Sequence, residues 1–473
     1  MSATAPPASA LPAPRRALDR FLCLFADVRD GEGLQLVLLA FNVFLILTAY
    51  YVMKPVREAL ILAQPGGAEI KSYAYAAQAG LFVLLVPLYS ALATRLPRRR
   101  LINVVTALFI ACLPAFYLLA ENGVGIGVVF FLWIGIFSLM VIAQFWSYAN
   151  DVYSPEAGKR LFAVIAFGGS SGAVFGSWIA SQLIRQLGVN PLLLVAVTIL
   201  ATSLLLFNFI DLRERRIGGR AGGGGADPGA ALRERDVAIG DGEAYGLLMR
   251  NRYLLMIALI TLFLNWVNSA GEYILSAVVK NEADLAVATG SILLSEQGRF
   301  IGTFFADYFH IVNIVGMLLQ LFVVSRAIKY LGVPVALCIL PLIALASYTV
   351  AALIPSLMIL RWVKIAENSV DYSLMNTMRQ LLFLPTRRNE KYKAKQLIDC
   401  LVVRAGDVLS AGTVYLGTAV LSLSLSQFAW INVAVVSIWL VIAIATGREF
   451  QQRVARHERR SRDAAPEAVA AMS

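Results

Sequence analysis

Apolar blocks of about twenty residues recur along almost the whole chain, and each is long enough to cross a hydrocarbon core about 30 Å thick as a helix. About twelve are readable, at approximately 33–53, 72–94, 101–120, 124–147, 161–184, 191–211, 253–276, 300–325, 331–352, 353–380, 397–420 and 424–446. Few folds accommodate such a pattern. Backbone polar groups in lipid must be satisfied within the structure, and helices do this segment by segment. The blocks therefore predict an all-α polytopic membrane protein. A composition of 59% hydrophobic and 15% charged residues in 473 speaks against a soluble class.

The net charge of +11 could suggest a nucleic-acid partner, but the basic residues gather in alternate loops. Arg95, Arg98, Arg99 and Arg100 share one loop; Arg213, Arg215, Arg216, Arg233 and Arg235 share the central one. Arg326 and Lys329 mark another, Arg387, Arg388, Lys391, Lys393 and Lys395 a fourth, and Arg448, Arg453, Arg456, Arg459 and Arg460 the tail. Loops near Glu121, 352–356 and 420–424 are nearly free of Lys and Arg. This asymmetry predicts both termini in the cytoplasm, a bilayer rather than nucleic acid as partner, and an inner (plasma) membrane of bacterial type. Cys23, Cys112, Cys338 and Cys400 are scattered without paired spacing, so no disulfide framework, metal site or cofactor is expected. The Ala- and Pro-rich N-terminus lacks the pattern of a cleaved signal peptide.

Residues 212–252 carry dense charge around the run AGGGGADPGA, a composition that reads as a flexible cytoplasmic linker. It divides the chain into a tail at 1–32, a six-helix half at 33–211, a second at 253–446 and a tail at 447–473. EAGKRLFAV around Lys159 weakly resembles YKAKQLIDC around Lys395, as a repeat would. Two parallel six-helix halves are the major facilitator arrangement, with a site between them.

Several polar clusters interrupt the apolar blocks. Arg361, Lys364, Glu367, Asn368 and Asp371 fall within about 120° of one helix face, and ionisable groups at membrane depth mark a substrate or ion path by default. Arg361 and Lys364 are expected to lie deepest, with Glu367 and Asp371 able to pair with them or switch partners; a purely structural ion-pair network is the alternative. In YYVMKPVREALIL, Lys54, Arg57 and Glu58 sit near the end of the first span beside Pro55. They can seize an anion, or snorkel to the interface. Asn265, Asn268 and Glu272 share a narrow face of the seventh span, suited to a ligand or a coupling ion, or to interhelical bonding.

Asp307, His310 and Asn313 repeat that pattern in the eighth span, where His310 beside Asp307 can exchange protons or serve as a packing histidine. Asp399, Arg404 and Asp407 form a mixed cluster near Gly406 in the eleventh. FGGSSGAVFG lacks the ending and strand context of a phosphate-binding loop and predicts close helix packing.

YYVMKPVREALIL followed by GAEIKSY, then FWSYANDVYSPEAGKRLFAVIAFGG and KYKAKQLIDCLVVRAGD, together resemble the signatures of the nucleotide transporter (ATP/ADP translocase) family, an outlying branch of the major facilitator architecture. The resemblance spans nearly the whole chain. It implies nucleotide carriage or ATP/ADP exchange, with basic side chains holding phosphate. It also places Arg57 where the family has a substrate-binding Lys, which keeps the charge. Asp407 follows Gly406 where family exchangers have Lys, and residues near Ile134 are apolar where they have an acidic side chain, so substrate identity stays open.

The expectation is thus alternating access for an organic anion, possibly a nucleotide, past Lys54, Arg57, Arg361, Lys364 and Arg404, with no catalytic residues. Exchange fits if substrate neutralises the site; proton symport fits if Asp307, Glu367, Asp371 or Asp407 titrates. A proton-coupled carrier of another solute and a non-transporting sensor or scaffold are the alternatives.

Overall fold

The computed structural model describes residues 22–23, 27–29, 32–218, 246, 248–386, 394–395 and 397–470. Most of the expected linker, together with Arg387, Arg388, Lys391 and Lys393, lies outside the described residues.

Among the described residues, six long helices precede residue 219: α1 (Gly33–Leu62), α2 (Gly67–Arg95), α3 (Arg98–Glu121), α4 (Gly127–Val152), α5 (Pro155–Leu187) and α6 (Leu192–Gly218). Six more of thirteen residues or longer follow, besides the short helix Asn376–Leu381: α7 (Arg252–Ala288), α8 (Gln297–Leu318), α9 (Val324–Leu353), α10 (Leu357–Val370), α11 (Val403–Tyr415) and α12 (Leu425–Ala470). Their starts follow local chemistry. Ser154 accepts a bond from Ala157 N at 3.3 Å and Pro155 opens α5, where its missing N–H costs nothing. Asn251 caps α7 through Tyr253 N at 3.1 Å. Gly66, at φ +65°, makes the tight turn from α1 into α2.

Among the described residues, ten helical runs are long and apolar enough to cross a membrane, against about twelve expected blocks. The difference has two causes. Residues 294–353 form one run of 60 residues that bends at Gly332 (φ +73°); straight, it would reach about 90 Å, so it covers two crossings. The tenth block is α10, whose charged stripe and Asp371–Met375 π-helical turn shorten its continuous apolar helix. At the C-terminus, α12 runs on to Ala470 rather than ending near 446, because the Arg-, Glu-, Gln- and Ala-rich tail consists of good helix formers.

Two apolar cores correspond to the two sets of helices. One gathers Leu36, Val43, Phe130, Phe137, Leu161 and Leu200; the other gathers Tyr253, Leu264, Phe305, Leu337, Met378 and Trp439. Lipid is as apolar as leucine, so close fit rather than water exclusion must hold helices together. FGGSSGAVFG supplies that fit: Gly168, Gly172 and Gly176 press on the backbone of Ala40, Phe44 and Thr48, where a Cβ would collide with the carbonyl oxygens. Thr48 adds a hydrogen bond to Gly172 O at 3.2 Å. The segment is thus helix-packing surface, as expected.

Candidate functional site

The site begins with Pro55, which cannot donate to the carbonyl four residues back and relaxes α1 where its cations cluster. Lys54, Arg57 and Glu58 are 8%, 6% and 0% exposed, so they do not snorkel to an interface. Arg57 donates to Glu58 Oε1 from Nε at 2.9 Å and also through Nη2. Lys71 on α2 pairs with Glu58 Oε2 at 2.7 Å and donates to Ser276 Oγ at 2.8 Å on α7. It also reaches Glu272 Oε2 at 3.4 Å. Asn368 on α10 donates to Glu272 Oε1 at 3.2 Å and to the Tyr308 hydroxyl at 2.6 Å. One polar chain therefore runs through α1, α2, α7, α10 and α8, across the boundary between the two halves.

A second cluster adjoins it. Lys364, fully buried, donates to Glu367 Oε1 at 3.0 Å, and the same oxygen accepts from the Tyr348 hydroxyl at 2.9 Å. Buried charges are tolerated when paired and hydrogen-bonded, and these are.

Lys54 is different. Its ammonium lies 4.0 Å from the Phe309 ring centroid, 5.2 Å from Tyr51 and 5.8 Å from Tyr372. Among the described residues no carboxylate lies within ion-pair distance of it. Aromatic faces attract the cation but leave its charge uncompensated. Of the four buried cations Lys54, Arg57, Lys71 and Lys364, Lys54 is thus the one without a carboxylate at ion-pair distance among the described residues, which leaves its charge available to an anion.

The remaining candidates are distributed more widely. Arg361 is half-buried near the start of α10, over Phe304 and Trp362 at 5.6 and 6.0 Å, so it does not share Lys364's depth. Asn265 bonds its own helix at Thr261 O, 2.7 Å away, where Gly406 brings α11 close; it does not join the central chain. Asn268 and Asp371 border a narrow cleft with Glu367. Asp407 is held by Arg404 at 2.8 Å and Ser269 at 2.7 Å, while Arg404 also stacks over Phe82 of α2. Asp399 is exposed at the basic end of its helix and has a partner.

Of the two readings open for His310, proton exchange with Asp307 or packing, the geometry favours packing, because the two side chains have different partners. Asp307 accepts from Ser181 Oγ at 2.5 Å and pairs with Arg185 at 2.8 Å, whereas His310 Nδ1 contacts Val174 O at 3.2 Å. Asn313 donates to Ala173 O at 3.2 Å. Residues on one face of α8 thereby meet successive turns of α5, and the histidine serves packing. The described hydrogen bonds between the halves run from the middle of the bundle toward the end opposite the basic loops, including Tyr73 to Thr418 and Tyr273 to Glu69. Among the described residues, none of them bridges the basic end.

Lys71, Tyr308, Tyr348, Ser181 and Arg185 were not foreseen as site residues. Lys71 preceded the expected start of its span at 72, but α2 begins at Gly67 and carries it inward. The available signal was GAEIKSY itself, which puts Glu69 and Lys71 in the opening turns of a largely apolar helix.

No family model matches the chain. "ADP,ATP carrier protein 1" of Chlamydia pneumoniae is 21% identical over 397 residues, covering 74% of this chain and 70% of that protein. The resemblance to the nucleotide transporter family is borne out. Among solved structures, the nucleoside transporter NupG matches with TM-score 0.57 and 14% identity over 88% of this chain and 98% of its own. A POT family transporter in complex with 5-aminolevulinic acid matches at 0.59 and 12%, over 90% and 98%. An inward-facing, unoccupied bacterial homologue of the lysosomal transporter Spinster matches at 0.56 and 14%, over 89% and 98%. These likenesses carry the fold: an all-α, multi-pass membrane protein.

Proposed function

We propose that this membrane transporter carries an organic anion by alternating access, with a nucleotide exchanged in the manner of ATP and ADP as the leading case. The uncompensated ammonium of Lys54, buried between the halves among Tyr51, Phe309 and Tyr372, carries this reading. Phosphate oxygens can complete its charge, and Arg57 and Lys364 stand nearby to share the load. The Tyr372 ring, 41% exposed, offers an aromatic face to a base. Support for the substrate class comes from the curated relative, whose name states ADP and ATP. We read the chain as a carrier rather than an enzyme, in an inner (plasma) membrane, with both termini cytoplasmic so that the basic end faces the cytoplasm. The hydrogen-bonded end then faces outward.

The test is uptake of labelled ADP by proteoliposomes preloaded with ATP. Wild-type protein exchanges the two, and Lys54→Ala lowers exchange by on the order of 100-fold without shifting the melting temperature, as expected for loss of a charged contact. Absence of exchange with nucleotides, phosphorylated metabolites and carboxylates alike defeats the reading.

A further inference from the structure

A second cavity lies at the basic end of the N-terminal half, roughly 30 Å along α1 from Lys54 by helical rise. The start of α1, the turn between α4 and α5 and the end of α6 meet there around about 310 Å³, in the lower range of ligand pockets. Its polar lining is Glu32, Gln35, Tyr153, Ser154, Arg213 and Glu214. Helices that cross the bilayer stop at this level, so lipid headgroups are its neighbours.

The charges in this cavity are unspent. Sequence neighbours can pair, as Arg57 and Glu58 do, and Arg215 one residue further on pairs with Asp211 at 2.9 Å. Arg213 and Glu214 do neither. Arg213 donates to Gln35 Oε1 at 2.7 Å and has no carboxylate at ion-pair distance, while Glu214 has no polar partner among the described residues. Gln35, 6% exposed, keeps Nε2 buried and unbonded, and Tyr153, 9% exposed, does the same with its hydroxyl. Because the Arg213 guanidinium holds the Gln35 amide by its oxygen, the idle amide nitrogen lies beside that guanidinium. Glu32 is already paired with Arg160 at 3.2 Å, so Glu214 is the carboxylate left for a cation.

We propose that this cavity binds the headgroup of a zwitterionic phospholipid bearing a primary ammonium, with its phosphate on Arg213 and Gln35 and its ammonium on Glu214. Charge decides the class. A purely anionic ligand satisfies Arg213 but is repelled by Glu214, and a purely cationic one meets the reverse; a ligand carrying both signs a few bonds apart satisfies each. A primary ammonium also brings N–H donors to the carboxylate, which a quaternary one lacks. Free zwitterions share this chemistry. The lipid is favoured because Leu34 and Leu212, next to Gln35 and Arg213 in sequence, are exposed and offer acyl chains an apolar flank. A headgroup seated here ties the end of α6 to α1 and to the α4–α5 turn.

The experiment uses purified full-length protein, stripped of lipid in detergent. Titration with a short-chain phosphatidylethanolamine is expected to raise the melting temperature saturably, since a ligand of the native state stabilises it. Phosphatidylglycerol and phosphatidylcholine of the same chain length are expected to need on the order of tenfold more lipid, the worth of one charged hydrogen bond. Arg213→Ala should weaken the phosphatidylethanolamine response by a similar factor, and Glu214→Gln should reverse the order so that phosphatidylglycerol binds better. Arg100→Ala, exposed at the start of α3, should change neither. Should the variants fail to fold, native mass spectrometry of wild type from mixed vesicles decides alone: selective retention of the ethanolamine lipid upholds the site, and equal retention of all three overturns it. A phosphatidylethanolamine response unchanged in Arg213→Ala and Glu214→Gln also overturns it. Glycerophosphoethanolamine, which has no acyl chains, acting at the same concentration as the lipid would assign the cavity to a soluble zwitterion and overturn the lipid.

Discussion

The two halves build their helices differently. In the N-terminal half the described helices α1 to α6 contain no π-helical turn, and α1 is pressed onto α5 by backbone contact at Gly168, Gly172 and Gly176. The C-terminal half is interrupted at Leu319–Val323, Asp371–Met375, Ile398–Val402 and Leu416–Val420, each a π-helical turn of five residues. Such turns carry an extra residue in the helical ladder and concentrate at functional positions. The charges divide along the same line. Lys54, Arg57 and Lys71 come with the single carboxylate Glu58 from the regular half, while Glu272, Glu367 and Asp371 come with the single cation Lys364 from the interrupted one. A stiff half with an excess of cations thus faces an adjustable half with an excess of carboxylates, and adjustment of the second half is where ligand-dependent change is expected.

The sharpest way to break this comparison is to remove one cation from each side. Lys71→Met removes a cation from both Glu58 and Glu272, leaving them only Arg57 and the Asn368 amide, and should cost about 3–5 kcal/mol of stability, read as a lowered melting temperature in detergent. Lys364→Met leaves Glu367 bonded to the Tyr348 hydroxyl and should cost less. Equal losses would remove the distinction. A smaller effect is expected from Gly172→Ala, whose Cβ collides with Phe44 backbone: about 1–3 kcal/mol, against a shift within about 1 kcal/mol for Gly412→Ala, which meets open space. Smallest is Asp307→Asn, which weakens the Arg185 pair and should raise hydrogen exchange at α5 amides near Ser181 about fivefold, near 1 kcal/mol, while leaving α3 unchanged.

The helical architecture was legible because apolar blocks of spanning length allow almost nothing else. The stripe on α10 was legible too, since helical periodicity puts Lys364, Glu367 and Asn368 on one face and all three are buried. What periodicity does not contain is the partner. Asp307 and His310 share a face of α8, yet α5 offers each a different atom, Ser181 and Arg185 to one and the Val174 carbonyl to the other. Tyr308 and Tyr348 look like ordinary core aromatics until their hydroxyls are seen against Asn368 and Glu367. Asp371 was read into the stripe by an ideal turn of 3.6 residues, but the π-helical turn starts there and changes the register beyond it.

The glycine contacts between α1 and α5 carry a mechanical implication. Lys54 and Arg57 ride on α1, and Ser181 and Arg185, which latch onto Asp307, ride on α5. Because the two helices touch backbone to backbone over two turns, neither can tilt alone. An anion that pulls on Lys54 therefore tugs the latch at the far end through a single rigid lever, and a bulky residue at Gly172 would uncouple sensing from opening even if both ends stayed intact.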